Sequence, residues 1–220
     1  MKFFLDTADI AEIEEAASWG VLAGVTTNPT LYARTGGTLS GFEGHVKRIC
    51  DIVDGPVSAE SVAMARDEIV ADGVRLAAIA PNVVVKVPVM VEGLAAIKAL
   101  ADRGIPTNAT LCFTVPQAIM AARAGASFVS PFVGRFDDIS EDGIEQLGSM
   151  IQALRNYDFG QQVEVIAASI RHPQHVVAAA VMGADIATVP FSILEKCVKH
   201  PLTDRGLESF LADWKKVCEA

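Results

Sequence analysis

Four cysteines in 220 residues, with no C-x-x-C pair among them, are too few and too scattered for a disulfide frame or a zinc site. Cys50, Cys112, Cys197 and Cys218 are expected to be reduced thiols of a cytoplasmic protein. Positive charge is also scarce: 18 Lys and Arg stand against 27 Asp and Glu, a formal net charge of -9. Such a chain is unsuited to nucleic acid or an anionic membrane, and any anionic ligand would need a local cluster of cations. Long hydrophobic runs are missing. No stretch approaches the ~18 apolar residues of a membrane span, and the faintly signal-like start, Met1 to Leu5, is broken by Asp6 and Asp9. There is no G-x-G-x-x-G, P-loop, low-complexity tract or linker.

What is present is a rhythm. Short β-rich runs at 2–6, 21–26, 57–61, 83–87, 105–111, 127–130, 163–167 and 186–189 alternate with Ala-rich helical patterns. The helices are expected at about 10–18, 40–52, 64–79, 91–102, 115–124, 141–155 and 173–182, with two more after residue 191. A doubly wound sheet fits the alternation, but the count of eight favours a closed (β/α)8 TIM barrel of α/β class spanning 1–220. Residues 203–217 add a C-terminal helix, with Leu207, Phe210, Leu211 and Trp214 at helical spacing.

Within that frame the stretch Asn82-Val83-Val84-Val85-Lys86-Val87-Pro88 is anomalous, because it sets a lysine inside a run of valines. An ammonium is costly to bury, so the ordinary expectation is a side chain that snorkels out to solvent. The alternation of side chains along a strand argues otherwise. If Lys86 faces the barrel interior, Val83, Val85 and Val87 face the helices, where valines belong. Barrels place their active sites at the carboxyl ends of the strands, and polar residues gather there: Asp6; Thr26, Thr27 and Asn28; Glu60; Lys86; Asn108 and Thr110; Ser130, Phe132 and Arg135; Ser169 and Arg171. A partly desolvated lysine beside Arg135 and Arg171 is expected to shed its proton readily, which suits imine chemistry with a carbonyl. Asp6 and Glu60 are carboxylates available for proton transfer, and Thr110 can hold a water. Arg171, just before the helix at Pro173, is placed to bind an anion, phosphate above all.

These residues also carry a family likeness. Phe4-Leu5-Asp6-Thr7, Gly24-Val25-Thr26-Thr27-Asn28-Pro29-Thr30, Val84-Val85-Lys86-Val87-Pro88 and Ala168-Ser169-Ile170-Arg171 together resemble the short transaldolases and the related fructose-6-phosphate aldolases. The resemblance covers essentially the whole chain. It implies a barrel without metal or organic cofactor and makes Lys86 the Schiff-base lysine. Asp6 becomes the acid/base at the sugar C4 hydroxyl, while Glu60 and Thr110 position the water that moves protons at the imine. Asn28 and Asn108 would meet substrate hydroxyls and the imine region, Ser169 the dihydroxyacetone unit, and Arg135 and Arg171 the phosphate. Thr27, Ser130 and Phe132 complete the substrate-binding set. The implied reaction moves a dihydroxyacetone unit from a ketose phosphate to an aldose phosphate; the alternative is an aldolase that releases it. In the aldolases the positions resembling Glu60 and Phe132 carry glutamine and tyrosine. The likeness further implies a homo-oligomer, a pentamer or decamer, in which the C-terminal helix reaches a neighbour.

Other features have plainer readings. His172 and His175 sit three apart like metal ligands, but no third ligand is near and a solvated helix end explains them. Cys112 shares the parity of Asn108 and Thr110 and so would face the barrel, as a core thiol. Gly36-Gly37 and Gly41 read as a mobile loop, Phe136-Asp137-Asp138 as a solvated loop cap, and Trp19 and Trp214 as packing residues.

Overall fold

The computed structural model describes residues 1–157 and 163–219; residues 158–162 and Ala220, which the reading of 1–220 as one domain also spans, lie outside the described residues. Eight parallel strands close a barrel in sequence order: β1 (Lys2–Asp6), β2 (Leu22–Thr26), β3 (Val57–Glu60), β4 (Val83–Pro88), β5 (Thr107–Cys112), β6 (Phe128–Pro131), β7 (Glu164–Ala167) and β8 (Ile186–Val189). The expected (β/α)8 architecture is therefore what the chain adopts. Around it run α1 (Ile10–Ser18), α2 (Pro29–Arg34), α3 (Phe42–Ile52), α4 (Arg66–Ala77), α5 (Val91–Ala101), α6 (Val115–Ala124), α7 (Val133–Asp137), α8 (Gly143–Arg155), α9 (Pro173–Met182), α10 (Phe191–Val198) and α11 (Pro201–Cys218).

Strand parity decides what faces where. On β4, Val83, Val85 and Val87 join the layer between barrel and helices. Val84 instead joins Phe4, Phe128, Ile166 and Ile186 in a separate cluster that plugs the barrel. Interior positions toward the carboxyl ends of the strands are polar, and they lie above that plug. Register groups them: Asp6 pairs with Thr26, and Glu60, Lys86 and Asn108 align across β3, β4 and β5.

The expectations fail in three local places. The segment after β2 is not simply a loop, because Asn28 caps α2 and Pro29 begins it, and a 3₁₀ turn follows at Leu39–Gly41. The acids after β6 lie on and beside α7, whose first two N–H groups are bonded to the carbonyls of Ala168 and Ser169 (2.9 and 3.1 Å). Cys112 does not face the barrel. Leu111 takes a φ of 55°, the pairing of β5 with β6 shifts beside it, and the alternation breaks. Leu111 thus turns into the barrel mouth, while Cys112 packs in the helix-facing core with its thiol pKa pushed up to about 12 by burial.

Candidate active site

At the carboxyl ends of the strands lies a cavity of about 450 Å³. Lys86 projects into its floor, 4% exposed, so the snorkelling alternative is excluded by position. Its Nζ lies 2.9 Å from Glu60 Oε2 and donates to the Thr27 carbonyl at 3.1 Å. The expectation that arginines would be its neighbours needs correction: the group in contact with Lys86 is a carboxylate from the adjacent strand. The resting arrangement is that of an ion pair, and Glu60 is the nearest base for the ammonium proton.

Asp6 stands beside this pair. Thr26 donates its hydroxyl proton to Asp6 Oδ1 at 2.8 Å, and the Thr188 hydroxyl is 2.6 Å from that of Thr26. A hydroxyl has one proton to give, so Thr188 must be the donor to Thr26. The chain Thr188–Thr26–Asp6 therefore fixes the orientation of the carboxylate. Removal from bulk water raises the Asp6 pKa above the usual carboxylate range, against the opposing pull of Lys86 and Thr26, and Glu60 adds to the rise. A carboxyl group with a raised pKa is suited to take up a proton and hold it. Thr110 lines the cavity too, and its buried hydroxyl has no hydrogen-bond partner among the described residues. Such a group is completed by a water or a ligand atom.

The remaining candidates divide. Asn28, Ser130, Phe132, Arg135, Ser169 and Arg171 all line the cavity. Asn28 is already half committed: its Oδ1 caps α2 through the Leu31 N–H at 2.9 Å, leaving its amide NH₂ for a ligand. Asn108 and Thr27 lie behind the wall. Asn108 donates to Ser58 Oγ and accepts from Ser130 Oγ (3.1 and 2.7 Å), and the Thr27 hydroxyl donates to the Ser58 carbonyl at 2.7 Å. Arg135 has no carboxylate partner among the described residues, whereas Arg171 is bonded to Asp138 Oδ2 at 2.8 Å on the open side. Ser169 adopts a φ of 58° at the turn out of β7. Gly134 on α7 is required beneath it, since a Cβ there would strike the Ser169 carbonyl and the Arg171 side chain.

Sequence reasoning missed Thr188, Leu31, Leu111 and Arg34 as cavity residues. Thr188 carried a signal, being the one polar residue of its strand. Arg34 and Leu31 depend on the overlooked α2. His175 also needs correction: it is buried, not solvated, and its two ring nitrogens face the Arg171 N–H and Asp137.

Comparison with known proteins points to one family. The family model described as transaldolase/fructose-6-phosphate aldolase matches residues 3–220. A probable transaldolase of Moorella thermoacetica is 55% identical over 217 residues, covering 99% of each chain. Those of Herpetosiphon aurantiacus and Aquifex aeolicus are 54% and 53% identical, covering 100% of this chain and 97% and 99% of theirs. Among solved structures, a thiamine phosphate pyrophosphorylase from Pyrococcus furiosus superposes with a TM-score of 0.58 at 14% identity, covering 86% of this chain and 85% of its own, which speaks for the fold alone.

Proposed function

The chain belongs to the transaldolase/fructose-6-phosphate aldolase family and is an enzyme of it, and from that premise we propose that it transfers a dihydroxyacetone unit between sugar phosphates through an imine on Lys86. Donors would be sedoheptulose 7-phosphate or fructose 6-phosphate and acceptors glyceraldehyde 3-phosphate or erythrose 4-phosphate, the exchange of the non-oxidative pentose phosphate pathway. The observation that carries the reading is the buried Lys86–Glu60 pair beside Asp6 at the floor of a cavity whose rim bears Arg135 and Arg171.

The groups supply each proton the reaction needs. Lys86 gives its ammonium proton to Glu60, 2.9 Å away, and the neutral amine attacks the ketose C2 carbonyl. That proton returns, through a water held with Thr110, to the carbinolamine hydroxyl, which leaves as water and yields the imine. Asp6 takes the C4 hydroxyl proton as the C3–C4 bond breaks. The electron pair passes into an enamine on Lys86, and an aldose phosphate departs. The raised pKa of Asp6 favours keeping that proton until a second aldehyde arrives, when it is returned to the new hydroxyl as the bond re-forms. Phe132, on the cavity wall, brings no hydroxyl to protonate the enamine, which supports transfer over the aldolase alternative. Two experiments test this. Borohydride with fructose 6-phosphate should add a three-carbon unit at Lys86 and inactivate the enzyme; an adduct only at another lysine would refute the assignment. Release of glyceraldehyde 3-phosphate from fructose 6-phosphate should depend on erythrose 4-phosphate, and equal release without it would leave the aldolase reading standing.

A second proposal concerns assembly. None of the residues of α11 is buried, although Leu207, Phe210, Leu211 and Trp214 share one face, with Trp214 66% exposed. An amphipathic helix whose apolar face stays largely exposed among the described residues supports the reading that α11 lies on a neighbouring copy. Phe210→Glu with Trp214→Glu should lower the mass measured by light scattering, and an unchanged mass would remove α11 from the interface. The four free thiols and the absence, among the described residues, of a helix long and apolar enough to cross a membrane agree with the proposed cytoplasmic setting.

A further inference from the structure

His175, on the first turn of α9, is buried outside the cavity lining, and both its ring nitrogens are engaged. The Arg171 backbone N–H points at Nδ1 from 3.3 Å, so Nδ1 must be the bare, accepting nitrogen. The ring proton then sits on Nε2, which faces Asp137 Oδ2 at 3.1 Å. The other oxygen of Asp137 accepts the Gly143 N–H at 3.2 Å. Burial, followed by the neighbouring His172, lowers the His175 pKa and so favours the same neutral tautomer. This relay joins three segments: the turn leaving β7, the end of α7 and the start of α8.

The turn it holds is a strained one. Ser169, two residues before Arg171, sits at a φ of 58°, a conformation that costs an L-residue ~1 kcal/mol or more and persists only where surrounding bonds over-determine it. The Gly134 N–H holds the Ser169 carbonyl from the α7 side, and His175 holds the Arg171 N–H from the α9 side. Without His175, the Arg171 amide would lose its acceptor in the protein beside a strained residue. Arg135 rides on α7 itself.

We propose that His175 is a positioning residue: through Arg171 N–H, Nδ1, Nε2–H and Asp137 it sets the Arg171 guanidinium at the spacing from Arg135 that a sugar phosphate requires. The inference rests on the reading of Arg135 and Arg171 as the phosphate site, and its test separates the two. His175→Asn puts an oxygen where Nδ1 was and retains the acceptor for Arg171. His175→Gln puts an N–H where Nε2 was and loses that acceptor. With unphosphorylated glyceraldehyde as acceptor, KM for fructose 6-phosphate should rise about tenfold in His175→Gln, the effect of one lost hydrogen bond, and stay near wild type in His175→Asn. Borohydride trapping of unphosphorylated dihydroxyacetone on Lys86 should be equal in both. Should His175→Gln not fold, Asp137→Asn weakens the relay from its more exposed end, and there too KM rises while trapping does not change. Equal KM in His175→Asn and His175→Gln, or a loss confined to kcat, would overturn the proposal. Arg171→Ala is the control: a raised KM there with flat His175 variants removes only the positioning role, whereas an unchanged KM in Arg171→Ala removes the phosphate site with it.

Discussion

Lys86→Met tests whether Lys86, the proposed reagent, rests as an ammonium. Methionine replaces the aliphatic stem without opening a large cavity, so the main loss is the charge. Lys86 is 4% exposed and the Glu60 side chain 14%, with 2.9 Å between nitrogen and oxygen. Removing one partner of a buried pair strands the other, at a cost of about 3–5 kcal/mol when both are sealed from water. Glu60 opens on the cavity, which places the expected loss at the low end, about 3 kcal/mol. Asp6 also loses a favourable cation, but its raised pKa lets it take up a proton, so the penalty falls on Glu60.

For a chain of this size a loss of that order lowers Tm by about 6–12 °C. The double variant Lys86→Met/Glu60→Gln removes both charges and should recover most of the loss, since exchanging a whole buried pair for neutral groups is often neutral or stabilising. Melting curves followed by circular dichroism at one protein concentration, assembled as a double-mutant cycle, measure the coupling. Lys86→Met melting with the wild type, and no gain from the second substitution, would mean that the amine already rests neutral. The proton transfer from Lys86 to Glu60 would then drop out of the mechanism.

Asp6→Asn should abolish most transfer yet raise Tm. A folded pKa above the unfolded value means that ionised Asp6 costs stability, absent below about pH 4 and complete once pH exceeds the folded pKa. The advantage of the variant should therefore grow from pH 4 toward neutrality, and melting profiles that run parallel across that range would contradict the burial argument. Phe132→Tyr should raise acceptor-independent cleavage of fructose 6-phosphate and lower transfer, because a correctly placed acid is worth about 10²–10⁴-fold on its proton-transfer step; unchanged partitioning would show that the ring does not reach the enamine.

Parts of this design were legible in the chain because they obey a local period. The alternation of Val83, Val85 and Val87 against Val84 and Lys86 is a property of one strand, and the helix-facing and interior clusters follow it. The same rule failed at Cys112 because it presumes extended backbone throughout, and nothing in Thr110-Leu111-Cys112 marks the φ of 55° that reverses the parity. α2 was readable in principle from Asn28 and Pro29, a cap and a first-turn proline, but six residues are too few for an amphipathic period to stand out. Missing it hid Arg34 and Leu31.

A different kind of information governs the proton partner of the lysine. The cost of burying Lys86 is written in its own neighbours in sequence, so the residue identifies itself. Glu60 is 26 positions earlier, and its contact with Lys86 depends on β3 and β4 aligning residue for residue, which barrel closure sets and no local pattern records. The expected arginine neighbours came from assigning strand ends to one rim without their heights. Arg135 lies on α7 and Arg171 on the turn beyond β7, both past the strands, whereas Glu60 and Lys86 are paired within them. Height along the strand thus separates the groups: Glu60 sits level with Lys86, and the cations stand at the rim, where the far end of a sugar chain would arrive in the proposed imine on Lys86.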